Sequence, residues 1–138
     1  MVNVLSVHKY EAELIKKRSL EFLKEAEIAL NRGSYDIACF LTEQSLQLYL
    51  KHTLLKTVDD YPRTQNVRGL LGELNQALKS KELEIFIKAH KTELSALEDA
   101  YLMARYFIKE YDKDDASNMI RLVKETIKII NKVIGEGG

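Results

Sequence analysis

The residues best suited to chemistry lie between residues 100 and 111, in the stretch AYLMARYFIKEY. Arg105 shares a predicted helical stripe with Tyr101, and the apolar spacing of that stripe indicates burial. Because an unpaired buried charge is costly, the guanidinium needs a partner. Its planar fork fits two oxygens of a phosphate or of a carboxylate. The sequence thus leaves two roles open for Arg105: contact with a phosphate, or a structural ion pair with Glu98, Asp99 or an acid on another helix.

Composition and motifs exclude several other kinds of site. Lys plus Arg equals Asp plus Glu at 21 each, so the composition does not indicate nucleic-acid binding through a broad positively charged surface. The chain has no glycine-rich phosphate loop, no serine nucleophile elbow and no cysteine pair for zinc. Its histidines, His8, His52 and His90, fall in different predicted elements, and His52 is expected to be a hydrogen-bonded structural residue. We therefore predict neither a metal site nor a cofactor.

The sequence also bears on the compartment. Cys39 is the single cysteine, which fits a reducing environment. The first residues lack the apolar core of a signal peptide, and no apolar run approaches the ~20 residues that span a bilayer. We expect a cytoplasmic protein without membrane contact.

Helical periodicity dominates the chain, and no strand-like alternation competes with it. We predict an all-α fold, an antiparallel up-down bundle of four main helices with a short helical insertion between helices two and four. Residues 1–134 form one domain and residues 135–138 a flexible C-terminal tail. The predicted helices are Val7–Arg32, a second from Tyr35 to Lys56, Val67–Leu78, Lys81–His90, Thr92–Lys109 and a last one capped by Asp114 and ended by Gly135.

The second predicted helix is apolar around most of its circumference. Such a helix is either central, or it serves a core on one side and a partner chain on the other. Gln44 is the polar residue that we expect to be buried and hydrogen-bonded there, facing a dimer partner.

Three segments in order carry a family resemblance. They are LNRGSYDIACFLTEQSLQLYLKHTLL at 30–55, YPRTQNVRGLLGEL at 61–74 and LSALEDAYLMARYF at 94–107. Together they resemble the HEPN domain family, over roughly residues 9–133. The resemblance implies a compact helical bundle that forms a homodimer, often encoded beside a minimal nucleotidyltransferase as a two-component toxin–antitoxin pair.

Active members of that family are metal-independent endoribonucleases in which four to six residues separate an arginine from a following histidine. After Arg105 the corresponding positions here are Glu110, Tyr111 and Asp112, and none is a histidine. A tyrosine with a pKa near 10 is a poor base, and a glutamate with a pKa near 4.3 is a poor acid unless strongly perturbed. The sequence therefore predicts a degenerate ribonuclease motif.

Three functions stay open at this stage. The first is a binding module for a nucleotide, RNA or a nucleotidyltransferase partner, with Arg105, Tyr106, Lys51, Arg63 and Arg68 as phosphate or nucleotide contacts. The second is a weak endoribonuclease using Arg105 with Tyr111 or Glu110. The third is a purely structural oligomerisation partner. For the basic residues that flank the linker, a solvated surface or a helix-dipole contact is the competing interpretation: Lys51, Lys56, Arg63 and Arg68.

Overall fold

The computed structural model describes residues 4–106 and 109–135, and within these ranges all regular secondary structure is helical. The all-α prediction is therefore confirmed. The helices are α1 (Val4–Asn31), α2 (Tyr35–Val58), α3 (Val67–Leu78), α4 (Lys81–Ala89), α5 (Lys91–Tyr106) and α6 (Lys113–Val133). None of the helices in these ranges is long and apolar enough to cross a membrane.

Two predicted boundaries need correction. Helix α6 is capped by Asp112 rather than Asp114, because Asp112 has an acid three residues on. The Asp112 side chain accepts from the backbone N–H of Asp115, whose carboxylate accepts from the N–H of Asp112 in return. Helix α5 ends by Tyr106 in the described residues and does not extend to Lys109, which is non-helical. Ile108, predicted on the buried stripe, lies outside the described residues.

Helices α1 and α2 form an antiparallel hairpin. Gly33 turns the chain with φ +83°, a left-handed geometry that favours glycine. The hydroxyl of Ser19 donates to the Ser45 carbonyl at 2.6 Å, and that of Ser45 donates to the Ser19 carbonyl at 2.8 Å. Nearer the open end of the hairpin, the ring Nδ1–H of His52 donates to the carbonyl of Ala12 at 2.8 Å. The prediction that His52 is a hydrogen-bonded structural residue is confirmed.

Helix α2 lies at the centre of the molecule, where it packs against α1, α3, α5 and α6. This confirms the central position that its apolar circumference indicated. Leu46 and Leu50 are fully buried, and Tyr49 donates to Asn131 of α6 at 2.6 Å. Most of the core residues of α2 therefore stabilise the fold, and any site on this helix must use the remaining positions.

The linker between α2 and α3 is held in place by several polar contacts. The hydroxyl of Tyr61 donates to the Glu11 carboxylate of α1, and Asn66 caps α3 by accepting from the N–H of Gly69 at 2.7 Å. A Cβ added at Gly69 would lie 2.7 Å from the Asn66 side-chain oxygen and 2.8 Å from the Thr64 side chain. Gly69 is therefore a packing requirement, whereas Gly72 has open space around it.

Candidate ligand-binding site

A cavity of about 430 Å³ lies between α2, α5 and the end of the linker. This volume is within the range of small-molecule sites. Most of its lining residues are of polar types, although their apolar atoms contribute much of the surface: Glu43, Gln47, Gln65, Asn66, Glu98, Asp99, Tyr101 and Leu102. We call it the α2–α5 cavity. The site residues predicted from the sequence do not line it themselves, but several of them contact its walls.

Glu43 is the deepest polar residue of this cavity, since only 1% of it is exposed. The side-chain amide of Gln44 donates to one carboxylate oxygen at 2.7 Å, and that of Gln47 donates to the other at 3.3 Å. Burial raises the pKa of the Glu43 carboxyl to about 7, against the lowering effect of these two amides. Glu43 therefore changes protonation state near neutral pH, which an exposed glutamate does not do.

A second polar contact ties the linker to α2 beside Glu43. The ammonium of Lys51 donates to the side-chain oxygen of Gln65 at 2.7 Å and to that of Gln47 at 3.3 Å. Burial lowers the pKa of Lys51, because the charged form loses hydration. Glu43, Gln47, Lys51 and Gln65 thus form one hydrogen-bonded chain across the cavity wall. In this structure Lys51 positions Gln65.

Arg68 occupies the rim of the cavity on α3. Its guanidinium donates to the Glu98 carboxylate at 3.0 and 3.3 Å, and its backbone N–H donates to the same carboxylate at 3.0 Å. The hydrogen bonds from Arg68 hold Glu98, so the predicted pairing of Glu98 with Arg105 is wrong. The reason is geometric, because the first turn of α3 presents both a backbone donor and a guanidinium to that carboxylate.

Arg105 is exposed, and the prediction that its guanidinium lies on a buried stripe is wrong. It stands in the last turn of α5, within one residue of the end of that helix. The guanidinium donates to the hydroxyl of Tyr101 and lies 5.0 Å from the ring centroids of Tyr101 and of Tyr106. Arg105 therefore needs no buried acid, because two aromatic rings and water stabilise its charge.

The tyrosines of α5 connect Arg105 with the cavity. Tyr101 lines the cavity, and its ring stacks on Phe40 of α2 at a centroid distance of 6.0 Å. Tyr106 is 63% exposed, so most of its ring is available for contact from outside. Tyr106 therefore does not pack in the core formed by the described residues of this chain.

The remaining predicted site residues lie elsewhere. Arg63 is exposed beside a separate cavity of about 290 Å³ that Leu54 and Val58 help to line. Glu110 and Tyr111 line another cavity of about 350 Å³, next to the start of α2. The structure therefore does not bring Arg63 or Glu110 to the α2–α5 cavity.

Tyr111 is poorly placed for proton transfer. It is only 7% exposed, and its backbone N–H donates to Asp36 at 2.7 Å. Burial and the neighbouring acids raise its pKa to about 12. A phenol with this pKa is a weaker acid than free tyrosine, so it stays protonated at neutral pH. Cys39, also buried, has its pKa raised to about 12 in the same way and is not a reactive thiol.

The described residues contain no group of three or more His, Cys, Asp and Glu side chains that could hold a metal ion. His90 is the histidine closest in sequence to Arg105. Its ring contacts the carbonyl of Phe86 at 2.9 Å and stacks on the Phe86 ring. Its position is explained by these local contacts at the end of α4.

Glu43, Gln47 and Tyr101 were not predicted as site residues. The stretch TEQSLQ does contain a signal, since an acid and two amides interrupt an otherwise apolar helix at i, i+1 and i+4. Of these three residues, only Gln44 was predicted to be buried and hydrogen-bonded. In the structure it is half-buried, and its side-chain amide donates to Glu43. Buried polar residues at such spacing on an apolar helix indicate a shared polar network.

A comparison with protein families fits this helical architecture. The model of the HEPN domain matches residues 12–133, which is most of the chain. The chain therefore belongs to the HEPN domain family, as its three ordered segments suggested. No curated protein and no solved structure shows significant similarity to it.

Proposed function

We propose that this HEPN-domain protein binds nucleotides or RNA through a phosphate contact at Arg105. The observation that carries the proposal is the exposed guanidinium of Arg105, held between two tyrosine rings next to the α2–α5 cavity. A guanidinium that makes no ion pair with a described acid keeps donors for phosphate oxygens. The exposed ring of Tyr106 offers a face on which a base can stack.

Other basic residues contribute less directly in this proposal. Arg68 is engaged with Glu98 and Lys51 with Gln65, so their side chains shape the cavity. Arg63 remains a candidate for a longer RNA that extends beyond the cavity, because it is exposed and lies on the linker. The proposed site is therefore centred on Arg105 and Tyr106.

We further propose that the protein acts as a homodimer within a two-component system of the toxin–antitoxin type, with a minimal nucleotidyltransferase as partner. The family membership supports this proposal, together with an outward stripe on α2. Ile37 is 49% exposed, and Leu41, Gln44 and Leu48 continue the stripe as half-buried residues at helical spacing. A second copy of the chain would cover this stripe.

The binding proposal is tested by titrating fluorescently labelled short RNAs into the wild type, Arg105→Ala and Arg18→Ala. Arg18 is the matched control, because it is exposed on α1, which does not pack against α5. We expect Arg105→Ala to weaken binding by about 10-fold or more, since a charged hydrogen bond contributes roughly 1.5–3 kcal/mol. Identical curves for the three proteins would remove Arg105 from any ligand role.

The dimer is tested by light scattering. Leu41→Glu places a charge in the stripe, and we expect it to convert a dimer into a monomer at micromolar concentration. Glu21→Gln on the exposed part of α1 serves as the control. A wild type that is already monomeric at that concentration would end the dimer proposal without affecting the RNA test.

A second candidate function is a weak metal-independent endoribonuclease. The observation in its favour is that Glu43, with a pKa raised to about 7, lines the same cavity as Tyr101, which accepts a hydrogen bond from Arg105. Such a carboxyl is a better proton carrier than Tyr111, whose pKa is raised to about 12, and Glu110 lies at a separate cavity. The expected sign is RNA with cyclic-phosphate ends, formed in EDTA and lost in Glu43→Gln. No product from the wild type after long incubation would exclude this function.

A further inference from the structure

The α2–α5 cavity and the Arg105 surface have opposite electrostatic character. Three carboxylates line the cavity, from Glu43, Glu98 and Asp99. The cation nearest to the wall on α3, Arg68, is already bound to Glu98. A phosphate inside this cavity would face like charges, which is unfavourable in a partly dehydrated space. If a nucleotide binds here, its phosphate stays outside with Arg105, and another part of the ligand enters the cavity.

The wall of the cavity is rich in hydrogen-bond acceptors. Each carboxylate oxygen has more than one lone-pair direction. In Glu43 one oxygen receives the Gln44 amide, while the other receives only the long 3.3 Å contact from Gln47. No described cation lies within ion-pair distance of Glu43. Because only 1% of Glu43 is exposed, a donor on the ligand reaches this oxygen by displacing the Gln47 amide, and it then stabilises the buried charge.

We propose that the α2–α5 cavity is a nucleoside subsite in which Glu43 accepts hydrogen bonds from the ligand. The donor is either the amino-bearing edge of a base or the cis-diol of a ribose, which present the same chemistry to a carboxylate. This inference rests on the proposed function, because the phosphate of the same ligand is held by Arg105. It adds the residue that recognises the uncharged part of the ligand.

The shape of the cavity supports this assignment. Its volume of about 430 Å³ is sufficient for a nucleoside. Leu102 and the ring of Tyr101, which stacks on Phe40, give it an apolar wall on α5. The amides of Gln65 and Asn66 lie on the linker side and provide further polar contacts. Since Tyr101 also accepts from Arg105, the subsite and the phosphate contact meet at one residue.

The protonation of Glu43 makes the subsite dependent on pH. The charged groups that face it are Glu98 on α5, which raises its pKa, and Lys51 on α2, which lowers it. Asp99 on α5 and Arg68 on α3 are the other charged residues around the cavity, and its described lining includes no residue of α1 or α6. Because the ionised carboxylate accepts more hydrogen bonds than the neutral acid, ligand binding strengthens as pH rises through about 7.

The test uses calorimetry with nucleosides, which carry no phosphate. Cytidine is titrated into the wild type and Glu43→Gln at pH 8 and pH 6. We expect the wild type to bind about 10-fold more weakly at pH 6, since only about a tenth of Glu43 is then ionised. Glu43→Gln should bind at least about 10-fold more weakly than the wild type at pH 8 and should show no change between the two pH values.

The two sources of the donor are separated by the choice of nucleoside. 3-Methyluridine has neither the amino group of cytidine nor the N3–H donor of uridine, and 2′-deoxycytidine lacks the cis-diol. A loss of affinity with 3-methyluridine assigns the donor to the base, and a loss with 2′-deoxycytidine assigns it to the ribose. Equal affinity for the three nucleosides, or no binding of any at millimolar concentration, would overturn the inference.

A second variant tests the cavity independently, in case Glu43→Gln does not fold. Leu102→Trp adds bulk at the mouth of the cavity, where Leu102 is 46% exposed and its replacement leaves the α2 network intact. It should also reduce cytidine binding, and unchanged binding would count against the cavity. RNA binding that still requires Arg105 while nucleosides fail to bind would refute the subsite and leave the proposed function standing.

Discussion

Helix α2 buries polar residues on two of its sides, and the two sides differ in how those residues are satisfied. Towards α1, Ser19 and Ser45 exchange hydrogen bonds with each other's backbone, and both are fully buried. Towards α5, Glu43 is equally buried, but its partners are two flexible amides and a cavity lies beside it. The first side is closed around two neutral hydroxyls, whereas the second contains a buried carboxyl next to open space.

The difference between the two sides separates buried polar residues that stabilise the fold from a buried polar residue that indicates a ligand-binding site. A reciprocal pair of small hydroxyls stabilises the hairpin, and both hydroxyl protons are used in it. A buried carboxyl without a cation costs free energy that a neutral residue would not. Glu43 therefore has no evident structural benefit, and natural proteins accept such a cost most often at functional sites.

The largest effect is expected on the α1 side of α2, from His52→Ala. This change removes a fully buried ring, its hydrogen bond to Ala12 and its edge contact with Tyr49. We expect the free energy of unfolding to fall by about 3 kcal/mol, measured by urea denaturation. Lys17→Ala, on the exposed face of α1, is the control and should change stability by less than about 0.5 kcal/mol.

A loss smaller than about 1 kcal/mol in His52→Ala would contradict the view that this side is closely packed. The pH dependence of the wild type gives a further check. Because burial lowers the pKa of His52, the folded protein resists the proton that the unfolded chain binds. The contribution of His52 to stability is therefore present above pH 6.5 and is lost as pH falls below it.

On the cavity side of α2, Glu43→Gln should increase the free energy of unfolding relative to the wild type as pH rises, whereas His52→Ala decreases it. The folded protein holds the Glu43 proton more tightly than the unfolded chain does, since the pKa is raised from 4.5 to about 7. The wild type therefore loses stability from Glu43 as pH rises from about 4.5 to 7. Glu43→Gln lacks this loss, so its stability relative to the wild type should increase by about 2 kcal/mol between pH 5 and pH 8.

This difference is measured by denaturation of both proteins at the two pH values, which cancels the opposite contribution of His52. Glu21→Gln, an exposed glutamate of α1, should track the wild type at both. The stability difference between Glu43→Gln and the wild type should be larger at pH 8 than at pH 5. If it is not, Glu43 is not a buried charge without a compensating cation, and the contrast between the two sides of α2 is wrong.

A smaller effect is expected in the linker that closes the cavity. Gly69→Ala forces the Asn66 cap and Thr64 to move, and we expect a loss of about 1–2 kcal/mol. Gly72→Ala, in the same helix with open space around it, should be neutral or gain up to about 1 kcal/mol from helix propensity. Thermal unfolding of the two variants measures the difference, and equal changes would refute the close packing of the linker.

Much of the fold could be predicted from the sequence because local signals were strong. Helix α3 has the bounds that were predicted, since Asn66 is a good cap and Pro62 keeps the preceding chain non-helical. The central position of α2 was one of the two arrangements that its apolar circumference indicated. The cap of α6 was misplaced by two residues because Asp112, Asp114 and Asp115 are all suitable by type, and only the capping box selects Asp112.

The site was less predictable, because it depends on which helices meet. Periodicity placed Arg105 on the same stripe as Tyr101, but it could not show that the Arg105 side chain is exposed. Glu43 stands in an apolar run, and its pKa depends on burial by α2's neighbours and on Glu98, which is distant in sequence. Single residues of this kind become visible only in the folded arrangement.

The most direct test of the nucleotide site is a chemical-shift map of the ¹⁵N-labelled protein titrated with cytidine 5′-monophosphate at pH 8. We predict the largest amide shifts in residues 98–102, at Arg105 and Tyr106, at the end of the linker in residues 65–68, and near Glu43, with a saturable dependence on concentration. Shifts confined to residues 33–37 at the separate cavity beside Tyr111, or no shifts at millimolar nucleotide, would contradict the account.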